Sequence, residues 1–147
     1  MPSKKKRRVF SREEANALLP ELEQRLKHLQ HKKEIYSRMH DTLFLHELVC
    51  AAEKSNGFSE PQDNLESGIH ALEEAIEDLA EDVEAIFATG AILRSIERGR
   101  VDFPGGWDGQ KIYFSWEAGE SQVRFYRLRD DEAGKRRELP ANKVSKK

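Results

Sequence analysis

Apolar residues recur along this chain with two different periods, helical in the first ninety residues and alternating thereafter. Ser11 with Glu14 three residues on makes a capping-box pattern, and Phe10 stands where a staple residue would sit. A proline inside a helix costs about 3 kcal/mol but is tolerated at its first turn. Arg12–Leu18 is therefore expected as a short helix ending in a kink, and a second helix is expected from Pro20 to about Lys54, where Ser55, Asn56 and Gly57 stop it. Asp63 with Glu66 repeats the capping pattern. Leu65, Ile69, Leu72, Ile76, Leu79, Val83 and Ile86 then alternate steps of four and three, a heptad seam that should end near Gly90.

The preceding helix is less regular. Leu22, Leu26, Leu29, Tyr36, Leu43 and Cys50 fit a seam that Lys33, His40 and Glu47 interrupt, and Leu43–Ala52 is apolar almost throughout. The short connection forces antiparallel pairing, with Lys32 and Lys33 expected opposite Glu81 and Glu84. After Gly90 the strands Ala91–Ile96, Val101–Phe103, Lys111–Glu117 and Val123–Arg129 are expected. Their turns fall at Arg98-Gly99, at Pro104-Gly105-Gly106 with Asp108-Gly109, and at Gly119. Ile112, Phe114 and Trp116 share one face, against which the apolar end of the second helix should pack. The expected fold class is α+β: a short N-terminal helix, a long antiparallel coiled-coil-like α-hairpin, then a small antiparallel β-meander.

Length and charge refine this picture. At 147 residues the chain fits one domain, placed at 10–134 with helices at about 11–54 and 64–89 and the meander at about 91–130. The net charge of −2 conceals basic ends. Residues 1–9, with Lys4, Lys5, Lys6, Arg7 and Arg8, and residues 135–147 read as disordered basic tails, whereas no Lys or Arg occurs from Ser55 to Leu93. The first tail also has the composition of a nuclear import or phosphate-binding run, so nucleic-acid or ribosome association through the tails is one expectation. No apolar run is long enough to span a membrane, no signal peptide is visible, and Cys50 is the single cysteine; a cytoplasmic protein is expected.

The order FSREEANALLPEL, a helical hairpin, RGRVDFP and IYFSWEAGESQVRFYRL resembles a bacterial family catalogued as domain of unknown function 2203. The matching segments are Glu14–Pro20, Val101–Pro104, Gly109–Trp116, Gly119-Glu120 and Tyr126-Arg127, over roughly Val9 to Gly134. The resemblance implies a bacterial origin and this architecture but no reaction. Arg127 stands where the family pattern has a histidine, so no metal or acid–base role passes to it.

Three groups of residues carry candidate chemistry. His40, His46 and His70 with Glu47, Glu74 and Glu77 could converge between antiparallel helices as metal ligands, but their spacing lacks the Glu-x-x-His and His-Glu-x-x-His patterns, and no cofactor is expected. Asp102, Trp107, Trp116, Glu120, Arg124 and Arg127 could outline a ligand or partner surface around the sheet; the competing reading makes Trp116 core, Glu120 a turn residue and the arginines cross-strand partners. Cys50, amid Leu48, Val49, Ala51 and Ala52, reads as a buried thiol, and neither Ser115 nor Ser121 sits in an activated-serine motif. The expectation for function is a non-catalytic protein-interaction module, a homodimer through the broad apolar end of the second helix. A metal- or small-molecule-acting enzyme is the contrary class.

Overall fold

The computed structural model describes residues 8–57, 63–131 and 135–140. Two helices, α1 (Arg12–Ser55) and α2 (Asp63–Ala88), precede five strands: β1 (Ile92–Ser95), β2 (Arg100–Trp107), β3 (Gln110–Glu117), β4 (Phe125–Leu128) and β5 (Arg137–Glu138). The fold is α+β, a helical hairpin followed by an antiparallel meander in the order β1-β2-β3-β4-β5. The chain divides into two compact units, one of Met1–Lys27 with Glu84–Lys147, the other of His28–Val83.

The expected start of α1 is present in full: Ser11 Oγ accepts from the Glu14 amide at 3.0 Å, and Glu14 Oε1 accepts from the Ser11 amide at 2.9 Å. The separate short helix is not. α1 runs unbroken through Pro20 because the ring is exposed, so the Asn16 carbonyl it deprives of a donor can be hydrated, while Leu19 and Leu22 on either side are buried. Burial of Ala15, Leu19, Leu22 and Leu26 offsets the lost bond, each large side chain contributing about 1.5–3 kcal/mol. The buried guanidinium of Arg12 donates to the carbonyls of Val123 at 3.1 Å and Pro140 at 3.0 Å, and Asn16 Oδ1 accepts from the Val123 amide at 2.6 Å. These bonds dock the first turns of α1 on the loop before β4.

Within the sheet, Val101, Phe103, Ile112, Phe114 and Trp116 present one buried apolar face, completed by Phe10. Pro104-Gly105-Gly106, expected as a turn, instead continues β2, and the turn falls wholly at Asp108-Gly109, both with positive φ. Pro104 is tolerated there because its carbonyl accepts from the Phe10 amide at 2.7 Å, away from β3. Its nitrogen faces the same way, past the end of β1, where no ladder bond is lost. Phe10 bridges Gly105 in parallel, and that glycine is required: a Cβ would lie 2.5 Å from the Phe114 ring and 2.7 Å from the Phe10 carbonyl oxygen. A further strand, β5, lies inside the segment 135–147 expected as a tail. Arg136 and Arg137 anchor it through Glu120 and Asp131.

In the His28–Val83 unit the helices run antiparallel, with Lys32 Nζ 2.9 Å from Asp78 and 3.0 Å from Asp82. The partners are displaced by about one turn from the Glu81 and Glu84 expected. The seam on α2 also departs locally from heptad counting. Ile69 and Ile76 are exposed, while Gly68 and Ala75 turn inward, and Leu43 packs so closely on Gly68 that a Cβ there would lie 2.8 Å from it. The small residues permit this approach. On α1, Tyr36, Leu43 and Cys50 are half-buried as the seam requires.

Candidate functional site

The sheet face opposite the apolar one is polar and laced with arginines. Alternation along β2 and β3 places Asp102, Tyr113 and Ser115 on it, and cross-strand pairing adds Phe125 and Arg127 from β4. A bulge between Leu93 and Ser95 brings in Arg94. Asp102 is fully buried, and its Oδ2 accepts from Arg94 Nε at 2.9 Å and from Arg127 Nε and Nη2 at 3.2 and 2.8 Å. Its other oxygen, Oδ1, is buried with no hydrogen-bond partner among the described residues. Arg127 reaches Asp102 across β3, over Tyr113. The guanidinium carbons of Arg94, Arg127 and Arg129 lie 5.2, 4.8 and 4.4 Å from the centre of that ring.

A second cluster closes the neighbouring part of the face. Arg136 donates to both oxygens of Glu120 at 2.9 Å, to Ser115 Oγ at 3.0 Å and to the Ser115 carbonyl at 3.1 Å, and lies 4.2 Å above the Phe125 ring. Burial works against the charged form of Glu120, but the Arg136 fork and the Glu117 amide outweigh it and hold the carboxyl below its ordinary range. Trp116, fully buried, donates its indole N–H to the Glu120 carbonyl at 2.8 Å. Arg124 is exposed and Trp107 is half-buried at the end of β2. Of the six sheet residues singled out from the sequence, Asp102 and Arg127 meet directly, and so do Trp116 and Glu120. Tyr113, Arg94, Arg129 and Arg136 were not among them, although the alternation that exposes Tyr113 could have pointed to the first three.

Asp131 clips β5 to the end of β4. Its carboxylate accepts from Arg137 at 2.9 and 3.1 Å and from the Leu128 amide at 2.8 Å, and these donors hold its pKa down to about 2. A carboxyl depressed in the folded protein stabilises it above the unfolded value, and that contribution fades as pH falls through the folded one. The clip should therefore open between pH 3.8 and about 2. NMR should show the Leu139 amide, which donates to the Arg124 carbonyl, losing its dispersed shift over that window before Val101 does. Asp131→Asn should produce the open clip at neutral pH.

The His28–Val83 unit offers a different surface. On α1, Ile35, Phe44, Leu45, Leu48 and Val49 are between 41 and 60% exposed, so the apolar end of this helix, expected to be covered, is largely open to water. The buried α1 residues that share a unit with the sheet, Ala15, Leu19, Leu22 and Leu26, come from its first turns, and Ile86 of α2 is buried in the same unit. Phe44, Leu45, Leu48 and Val49 fall at helical spacings of three and four and form one continuous stripe. A groove of about 450 Å³ lies alongside, lined by Ile35, Met39 and His46 of α1 and by Gly68 and Ala71 of α2. The six candidate metal ligands do not converge: His70 faces Glu73 and Glu74 of its own helix, His46 Nε2 lies 3.7 Å from Cys50 Sγ, and His40 lies 4.0 Å from Asp41. Among the described residues no three His, Cys, Asp or Glu side chains are grouped to hold a metal ion. No helix among them is long and apolar enough to cross a membrane. Lys4, Lys5, Lys6 and Arg7 lie outside the described residues; Arg8 donates to the Thr89 carbonyl at 3.1 Å.

The family model described as "Uncharacterized conserved protein (DUF2203)" matches residues 8–139. No curated protein matches this chain. No solved structure matches it.

Proposed function

Since this chain belongs to the uncharacterised family domain of unknown function 2203, which brings no reaction with it, we propose from its surfaces that it is a non-catalytic interaction module whose helical hairpin pairs with a second copy. The observation that carries this reading is the exposed stripe Phe44, Leu45, Leu48 and Val49, together with Ile35. Five large side chains half-open to water present on the order of 500 Å² of apolar surface, at the upper end of what a monomer carries without function. A symmetric pairing that also covers their polar rim approaches the ~800 Å² per partner of a stable dimer.

Charge selects the face and the partner. From Asp63 to Val83, α2 carries eight carboxylates and no Lys or Arg, so two α2 helices repel each other. The α1 stripe, in contrast, is self-complementary. An antiparallel crossing centred on Leu48 sets Phe44 level with Ala52 and Leu45 level with Ala51 of the other copy, large against small. This arrangement is isologous and leaves the acidic helices outside.

Light scattering on the eluting protein at micromolar concentration is expected to give twice the chain mass. Leu45→Glu combined with Leu48→Glu should give monomers of unchanged helicity. A wild-type chain that stays monomeric up to about 100 μM would defeat the proposal, since a useful homodimer needs a Kd below that range.

A further inference from the structure

We propose that the polar face of the sheet binds a phosphate group, held between Arg94 and Arg129 over Tyr113. Three guanidiniums surround this ring, and among the described residues only the carboxylate of Asp102 meets them directly, an excess of two positive charges within this group. Asp131, the next acid, is engaged by Arg137. Asp130 follows Arg129 in sequence, and Lys111, exposed on the same side of β3 as Tyr113, offsets it. A phosphate monoester near neutral pH carries nearly two negative charges and matches this excess, whereas a carboxylate matches half of it.

The donors needed are present. Arg94 spends its Nε on Asp102 and Arg129 spends its Nε on the Ile112 carbonyl at 3.0 Å, and these two bonds fix both guanidiniums. Their terminal nitrogens have no hydrogen-bond partner among the described residues. Both lie near one ring centre, at 5.2 and 4.4 Å, so the two guanidinium carbons are less than 10 Å apart. A phosphorus atom sits roughly 4 Å from a guanidinium carbon that grips it, so one group can be shared by both forks when their carbons stand within about 8 Å, a distance inside this bound. Asp102, buried under Arg94 and Arg127, positions them without reaching the ligand.

The test follows the arginine Nε–Hε signals of the full chain by NMR during titration with inorganic phosphate, glycerol phosphate and acetate. Phosphate or its ester should shift the Arg94 and Arg129 signals saturably, and the tighter of the two identifies whether the group arrives free or esterified. Arg94→Gln with Arg129→Gln, both at accessible positions, should weaken binding at least tenfold, whereas Arg98→Gln on the neighbouring turn should change it less than twofold. Three results would overturn the proposal: shifts that never saturate, an equal response to acetate, or an equal loss in the Arg98 variant.

Discussion

Asp102→Ala is expected to destabilise the fold by about 3–5 kcal/mol, the usual consequence of leaving a buried charge without its counter-charge. Arg127 is 5% exposed and loses two of its three hydrogen bonds, keeping only the one to the Asp131 carbonyl at 3.2 Å. Arg94, one-third exposed at its side chain, can turn to water and suffers less. Urea denaturation followed by tryptophan fluorescence measures the loss. Removing both buried charges in Asp102→Leu with Arg127→Met should restore much of it, because an apolar pair of similar volume avoids the desolvation that the ion pair incurs. A double variant no more stable than Asp102→Ala would show that the carboxylate acts through something other than its charge.

Trp116→Ala should cost a similar amount, about 3–5 kcal/mol, through the cavity left in the apolar face shared with Val101 and Phe114. Trp116→Phe separates the two roles of the side chain. It keeps most of the apolar volume and deprives only the Glu120 carbonyl of its 2.8 Å donor, so a loss of about 1 kcal/mol is expected. Because Glu120 also receives Arg136, a larger loss in Trp116→Phe would reveal that the turn, Arg136 and β5 unfold together; the same denaturation curves decide it.

The elements that could be read from the sequence are those whose signal is local. The Ser11–Glu14 box, the ends of both helices at Gly57 and Gly90, and the Asp108-Gly109 turn all depend on neighbours a few residues apart. Pro20 misled because its cost is local while its compensation, the burial of Leu19 and Leu22, is tertiary. Pro104 misled for the same reason: only the distant Phe10 amide shows that its missing donor faces outward. Asp102 and Arg127 stood out in the sequence, but their meeting across an intervening strand could not be derived without the register. On α2, Leu65, Leu72, Leu79, Val83 and Ile86 turn inward as heptad counting has them, but at Ile69 and Ile76 the inward place goes to the small Gly68 and Ala75, which closer packing favours.

The tie between Phe10 and Gly105 also sets an order of events during synthesis. Phe10 finds its partner only after some ninety further residues have been added, and Arg12 waits longer still, for the carbonyl of Pro140. Lys32 and Asp78 become available to each other much sooner. The hairpin can thus mature while the opening segment is still unclaimed, and loop closure over so long a span makes the sheet end the slow step of folding.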